Sequence, residues 1–183
     1  MNKTPFVLVG LLVVVSGAES AVAQQVPPAE LTTVLNYVEI SERLTTAGQI
    51  AYDQIPLLRE DGYEVVVNLA TADQERNSLE GFHVTSSGMS YIHIPVVWEE
   101  PQLSDVRIFF DVMEANKDRK LFVHCIANMR VSAFVYLYRT LVEGVSDEDA
   151  RVGMDEVWTA DQWRRFGQWS NLIERAQREF SGP

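Results

Sequence analysis

The sequence is poor in cysteine and histidine, which limits the chemistry that it can support. It contains one cysteine, Cys125, so an internal disulfide framework is excluded. The three histidines, at positions 83, 93 and 124, lie too far apart along the chain to form a metal-ligand motif. We therefore expect no metal site, and no motif indicates a cofactor.

Positive charge is also scarce. The chain has 15 Lys and Arg against 26 Asp and Glu, which gives a formal net charge of −11 at pH 7. A chain this acidic repels nucleic acid, so we expect no nucleic-acid partner. If the substrate is an anion, a local positive site must attract it, because the overall field does not.

Long apolar runs are absent except near the N-terminus. Residues 1–23 combine a basic residue, Lys3, with an apolar run over 6–15 and the small-residue sequence Ala21-Val22-Ala23. This pattern is typical of a cleavable secretory signal peptide, and the run is too short to span a bilayer comfortably. We predict that residues 1–23 are removed, that the mature protein is periplasmic or secreted, and that it has no membrane span. A retained N-terminal anchor is the alternative.

The remaining residues are sufficient for one domain. The Pro27-Pro28 pair and its polar neighbours indicate a linker over 24–35, which leaves 36–183 as a single domain of ordinary size. Apolar β-branched runs alternate there with segments of helical apolar spacing. Such alternation predicts an α/β fold in which helices flank a mostly parallel sheet of four to five strands. We predict strands within 36–44, 64–69, 91–95 and 121–124, a turn at 46–49, and helices near 50–58, 74–79, 104–113, 134–141, 146–158 and 161–173, with Ser104, Ser146 and Asp161 as caps.

The segment 121–132 carries the most specific signal. It combines a buried strand, a tight loop that begins at Cys125, and the first turn of an apolar helix. A strand-to-helix turn directs several backbone N–H groups and the positive end of the helix dipole to one point, which makes an anion site. A thiol at that point is favoured as the thiolate, and the Arg130 guanidinium can bind an oxyanion through two N–H groups. The alternative is that Cys125 is a structural thiol, since free cysteines are often buried.

This segment resembles the active-site loop of cysteine-dependent tyrosine and dual-specificity phosphatases, whose pattern is His-Cys, two residues, Gly, two residues, Arg, then Ser or Thr. His124, Cys125 and Ser132 match that pattern without a gap. Asn128 occupies the glycine position, and asparagine is the non-glycine residue that best tolerates a left-handed turn. Arg130 stands one position before the family's arginine, so four residues separate it from Cys125.

The order of elements extends the resemblance beyond the loop. The turn and helix after residue 46, the strand near 65, the segment 91–98 and the helix from Ser104 are similar to the phosphatase domain of bacterial beta-lactamase-hydrolase-like proteins. The resemblance implies a dual-specificity-phosphatase-like fold with Cys125 as the nucleophile. It also implies that the loop residues bind the phosphate: His124, Ile126, Ala127, Asn128, Met129 and Arg130.

The resemblance further implies a general acid on the loop after the strand at 91–95. The family's aspartate is missing there, and Glu99 is the candidate, with Asp105 as the second choice. Ser132 is expected to hydrogen-bond the sulfur of Cys125 and to help it leave in a second, hydrolytic step. His93, on the strand itself, is expected to pack or bond within the core.

The predicted function is hydrolysis of phosphomonoesters by an exported enzyme through a phosphocysteine intermediate. The substrate is then a protein phosphorylated on tyrosine, serine or threonine, or a small phosphoester. Two alternatives remain open. A cysteine followed by four residues and an arginine is also the spacing of the rhodanese sulfurtransferase loop. The displaced Arg130 and the missing aspartate favour instead an inactive phosphatase-like module that binds an anion or a partner protein.

Overall fold

Five four-residue strands form one sheet in the order β1-β2-β5-β3-β4. The computed structural model describes residues 30–180. Only the β1–β2 pair is antiparallel, and the other neighbouring strands within the described residues run parallel. The predicted mostly parallel sheet is therefore confirmed. The strands are β1 Val38–Ser41, β2 Leu44–Ala47, β3 Val65–Asn68, β4 Ser90–His93 and β5 Leu121–His124.

Helices cover both faces of this sheet. Alternate residues of β3 point to opposite faces, as in any strand, so Val65 and Val67 enter one apolar cluster and Val66 enters the other. The first cluster also contains residues of α3, α4 and α7, and the second contains residues of α1 and α2. The helices are α1 Ile55–Glu60, α2 Glu80–Ser86, α3 Leu103–Ala115, α4 Met129–Leu141, α5 Asp147–Asp155, α6 Ala160–Arg165 and α7 Gly167–Phe180.

No helix within residues 30–180 combines the length and the apolar character that a membrane crossing requires. The predicted signal peptide, residues 1–23, lies outside the described residues.

The parallel strands end at the same level. His124 at the end of β5 is in register with Ala47 of β2 and Asn68 of β3, and Asn68 is in register with His93 of β4. The loops that follow these strands therefore meet at one edge of the sheet. Cys125 is the first residue beyond that edge.

Residues 30–35, which the sequence assigns to a linker, instead pack on the domain. Leu31 to Thr33 form one turn of 3₁₀ helix, and Leu31 and Val34 are buried in the cluster that contains Ile55 and Leu58 of α1. The two apolar residues are three positions apart and so lie on the same side of the turn. The proline pair that suggested a linker lies outside the described residues.

Two helices near the start of the domain begin later than the sequence predicts. Thr46 and Ala47 complete β2 and do not form the predicted turn. The helix predicted over 50–58 begins only at Ile55, because Pro56 is tolerated in a first helical turn and not in a helix interior. The helix predicted over 74–79 is replaced by turns, and α2 begins at Glu80.

The predicted caps are partly correct. Ser146 caps α5, since its hydroxyl accepts the N–H of Asp149 at 3.1 Å. Ser104 lies inside α3, which Gln102 precedes as the cap. The last predicted helix is divided into α6 and α7, and Thr159, not Asp161, caps α6 by a reciprocal capping box.

Candidate active site

The cysteine loop joins β5 to α4 as the sequence predicts. His124 ends the strand, and Met129 is the first residue of the helix. Asn128 is the helix cap and has a φ of 61°, the left-handed conformation expected of it at the family's glycine position. The side chain of Asn128 is fully buried and donates to the hydroxyl of Thr46 at 2.9 Å. The turn is therefore fixed from β2 as well as by its own backbone.

The backbone carbonyl oxygens of 126–128 accept hydrogen bonds from the surrounding protein. The oxygen of Ile126 accepts the N–H of Gln49 at 3.1 Å, and that of Asn128 accepts the N–H of Ser132 at 2.9 Å. The oxygen of Ala127 accepts the side-chain amide of Asn36 at 2.9 Å. Because each peptide is trans, the next residue's N–H points to the opposite side.

These N–H groups form a cradle for an anion. Within residues 30–180, the N–H groups of 126, 127, 129 and 130 have no protein acceptor, whereas the antiparallel bridge between Gly48 and Ala127 directs the Asn128 N–H toward β2. Buried N–H groups without a partner are rare, and a run of them at the start of a helix is the usual construction of an oxyanion site. The loop thus supplies several convergent donors next to the thiol.

Cys125 lies deep in this site. It is only 1% exposed, its N–H donates to the Ala47 oxygen at 3.3 Å, and its side chain joins the apolar cluster of Leu121 and Val123. Burial by itself fits a structural thiol. The converging N–H groups favour a functional thiol instead.

Arg130 is held against the segment that follows β4. Its Nε donates to the Val96 oxygen at 3.0 Å, and its guanidinium carbon lies 5.2 Å from the ring centre of Trp98. The residue is 8% exposed. The other guanidinium N–H groups have no acceptor within the described part of the chain, so they are available to two oxygens of one ligand.

The structure separates the two candidates for the general acid. Glu99 is exposed and directly follows Trp98, in the segment that contacts Arg130. Asp105 instead accepts the N–H of Gln102 at 3.4 Å in the first turn of α3, an ordinary capping contact. The position of Glu99 favours it over Asp105, and its role stays a prediction.

Ser132 makes contacts that the sequence does not indicate. Its hydroxyl donates to the Met129 oxygen at 3.2 Å and accepts the indole N–H of Trp158, also at 3.2 Å. The same indole N–H contacts the Met129 oxygen at 3.0 Å. The serine proton is therefore directed to a carbonyl in this structure, and the expected contact with the Cys125 sulfur stays a prediction.

The tryptophans next to the loop form one stack. Trp98 lies parallel to Trp158 with 6.0 Å between ring centres, and Trp158 lies on Trp163 at 4.1 Å. Trp158 and Trp169 are buried and Trp163 is half-buried, as expected for core and rim aromatics. The stack connects the segment after β4 to α4 through Trp158.

A fully buried hydrogen-bonded pair, His124 and Glu80, lies behind the loop. Nε2 of His124 is 2.7 Å from Oε1 of Glu80, and neither side chain is exposed. Gln49 donates to the other carboxylate oxygen at 2.7 Å, and Asn68 lies 3.4 Å from Oε1. Burial acts to raise the pKa of Glu80, but the hydrogen bond and charge of His124 and the hydrogen bond from Gln49 outweigh it and hold the pKa below its usual value.

Sequence reasoning missed Glu80 because its signal is weak. It stands in a polar stretch between β3 and β4, where a surface carboxylate is the ordinary interpretation. His124 was expected to help bind phosphate, and the structure turns its ring to Glu80. His93, expected in the core, is exposed, although its Nε2 does contact the Ala70 oxygen at 2.7 Å.

Comparison with known proteins decides the family. The family described as "DSP-PTPase phosphatase fused to NAD+ Kinase" matches residues 23–169. The chain belongs to this DSP-PTPase phosphatase family. The predicted resemblance to cysteine-dependent phosphatases is thereby confirmed, and so is the predicted fold.

Two relatives are about 30% identical to the chain over the residues that align. A beta-lactamase hydrolase-like protein of Agrobacterium fabrum (strain C58) is 31% identical over 108 residues, which are 57% of this chain and 25% of that protein. The chain thus spans about a quarter of that relative's length. A DUF442 phosphatase from Shewanella putrefaciens CN-32 is 30% identical, and its crystal structure superposes with a TM-score of 0.72 over 83% of this chain and 95% of that one.

A more distant structure shares the fold. TpbA of P. aeruginosa, crystallised as its C132S form in complex with pTyr, is 16% identical. It superposes with a TM-score of 0.62 and covers 91% of this chain and 100% of its own. TpbA therefore shares the arrangement of sheet and helices seen here despite its low sequence identity.

Proposed function

We propose that the protein is an exported cysteine-dependent phosphatase that hydrolyses phosphomonoesters through a phosphocysteine intermediate. The observation that carries the proposal is the set of N–H groups of 126, 127, 129 and 130, which lack a protein acceptor and directly follow Cys125 in the loop that also carries Arg130. Membership of the DSP-PTPase family and the signal-like pattern of residues 1–23 support it.

In the first step the Cys125 thiolate attacks phosphorus. The S–P bond forms as the bond to the ester oxygen breaks, and the loop N–H groups and Arg130 stabilise the charge on the three equatorial oxygens. The departing oxygen takes a proton from the carboxyl group of Glu99. Such a proton transfer typically contributes about 10²–10⁴-fold to the rate.

In the second step water attacks the phosphocysteine. The Glu99 carboxylate accepts a proton from the water, the S–P bond breaks, and inorganic phosphate and the Cys125 thiolate are released. A rotation of the Ser132 hydroxyl from the Met129 oxygen toward sulfur stabilises the leaving thiolate. No cofactor or metal takes part in either step.

The first experiment is turnover of p-nitrophenyl phosphate under reducing conditions, with orthovanadate as inhibitor. Turnover that vanadate suppresses supports the proposal. No turnover together with persulfide transfer from thiosulfate to cyanide supports the sulfurtransferase alternative. Binding of an oxyanion without either activity supports the inactive module. Phosphotyrosine is the first biological substrate class to test, because TpbA was crystallised with it.

Replacing Arg130 by alanine is expected to lower kcat/KM by about 10²–10³-fold, because the transition state loses two charge-assisted donors. Arg130→Lys is expected to have a kcat/KM close to that of the alanine variant, since lysine lacks the planar pair of N–H groups. Steady-state kinetics with p-nitrophenyl phosphate measures both. Arg43→Ala is the control, because Arg43 is exposed in the β1–β2 turn, at the end of β2 opposite to the cysteine loop. Equal effects of the two alanine variants would contradict the assigned role.

Replacing Glu99 by glutamine is expected to lower the rate by about 100-fold for phenyl phosphate, whose leaving group needs a proton. The loss is expected to be much smaller for p-nitrophenyl phosphate, whose leaving group is stable as an anion. Glu100→Gln, the neighbouring exposed carboxylate, is the control. The same loss with both substrates would remove Glu99 from the role of general acid.

A further inference from the structure

The chain before the first strand contacts the cysteine loop directly. The side-chain amide of Asn36 donates to the Ala127 oxygen at 2.9 Å, and the side-chain amide of Asn128 donates to the Asn36 oxygen at 2.7 Å. Each asparagine thus donates a hydrogen bond to a backbone oxygen of the other's segment, although the two residues are 92 positions apart in sequence. The other backbone carbonyls of 126–129 accept hydrogen bonds from the N–H of Gln49 after β2, from the backbone and hydroxyl of Ser132 in α4, and from the indole of Trp158.

Asn36 has the backbone that this contact requires. Its φ is 50°, a left-handed conformation that asparagine adopts more readily than most residues. In that conformation both its carbonyl and its side-chain amide face the loop. The preceding carbonyl, that of Leu35, accepts the N–H of Gly48 at 2.7 Å.

Gly48 permits this close approach. A Cβ at this position would lie 2.8 Å from the Leu35 oxygen and 2.9 Å from the Ile126 oxygen, both of them backbone atoms. Only glycine therefore fits between the two segments. Three backbone segments meet here: the chain before β1, the end of β2 and the cysteine loop.

We propose that Asn36 is a positioning residue for the oxyanion site. By accepting an N–H donor from Asn36, the Ala127 oxygen keeps the peptide between residues 127 and 128 oriented with its carbonyl away from the bound anion. Without that donor the peptide can rotate and present a carbonyl to the anion, which repels it. This inference deepens the proposed function and rests on it.

Asn36 is exposed, which makes the proposal testable without unfolding the protein. Its side-chain amide has one hydrogen-bond acceptor within residues 30–180, the Ala127 oxygen. Substitutions at exposed positions usually change stability little. A weaker affinity for the anion at an unchanged Tm would therefore indicate that the cysteine loop has changed position and not that the protein has lost stability.

The experiment measures tungstate binding by calorimetry and Tm by circular dichroism for the parent, Asn36→Gly, Asn36→Asp and Thr32→Ala. Glycine keeps the left-handed backbone and removes the amide, and aspartate replaces the donor by an acceptor that faces the Ala127 oxygen. We expect Kd to rise roughly tenfold for glycine and more for aspartate, as expected for loss of one hydrogen bond and for added repulsion. The exposed Thr32 serves as a control in the same segment, with parent affinity expected.

Kinetics with p-nitrophenyl phosphate gives a second readout. A mispositioned cradle lowers kcat as well as raising KM, since the same donors stabilise the transition state. Parent values of Kd and kcat in Asn36→Gly would overturn the proposal, as would a loss of binding that merely follows a loss of Tm.

The outcomes also separate this proposal from the proposed function. If the parent binds tungstate but hydrolyses nothing, the phosphatase proposal fails, and the tungstate affinities of the Asn36 variants still decide the positioning role. If the parent binds no tungstate, there is no oxyanion site for Asn36 to position, and both proposals fail.

Discussion

Replacing Cys125 by serine is expected to abolish phosphatase turnover, with a loss of roughly 10⁴-fold or more in kcat. The thiolate is the nucleophile, and a serine hydroxyl stays protonated at neutral pH because a hydroxyl ionises far less readily than a thiol. Initial rates with p-nitrophenyl phosphate at high enzyme concentration measure the residual activity.

The same variant is expected to retain the oxyanion site. Serine is close in size to cysteine, and the N–H groups of 126, 127, 129 and 130 belong to the backbone, so tungstate binding and Tm are expected to stay near those of the parent. Activity within tenfold of the parent would exclude Cys125 as the nucleophile. Loss of activity together with a large loss of Tm would instead indicate the structural thiol.

Local sequence was sufficient to predict the cysteine loop. The strand, the left-handed turn and the helix start lie within twelve consecutive residues, 121–132, and each depends on neighbours in sequence. The left-handed conformation of Asn128 follows from its own side chain. The alternation of strands and helices likewise predicted the parallel sheet, because parallel neighbours require crossover connections.

The contacts that support the loop could not be predicted in the same way. Glu80 reaches His124 across 44 positions, and Asn36 reaches Ala127 across 91. Neither Glu80 nor Asn36 belongs to a sequence motif or to a periodic pattern of apolar residues. The local sequence therefore does not distinguish either of them from a polar residue on the surface. The contact of Trp158 with Ser132 likewise joins residues 26 positions apart. It forms only when the fold brings the chain after α5 next to the start of α4.

The element boundaries failed for a related reason. The helix predicted over 50–58 begins only at Ile55, since Pro56 marks its first turn. Leu31 and Val34 were assigned to a linker, although they complete the cluster around α1. In both cases the prediction used only the residues adjacent in sequence, whereas the observed boundary depends on the position of the segment in the folded domain.

Replacing Glu80 by alanine is expected to lower the free energy of unfolding by about 3–5 kcal/mol, because it removes one partner of a fully buried pair of ionisable groups. His124 then lies fully buried without its carboxylate, and the Gln49 amide loses a 2.7 Å acceptor. Denaturation by urea, followed by circular dichroism, measures the change. Glu174→Ala is the control, because Glu174 belongs to an exposed ion pair of α7 and its removal is expected to have a much smaller effect.

The pH dependence of this difference tests its cause. Because His124 and Gln49 hold the pKa of Glu80 below its usual value in the folded protein, the pair stabilises the fold above the ordinary glutamate pKa of about 4.3. That contribution is lost as the pH falls through the lower folded pKa. The difference between the parent and Glu80→Ala is therefore expected to be largest near neutral pH and to shrink below about pH 4. A difference independent of pH would show that Glu80 acts by filling space, since the volume of its side chain does not change with its charge.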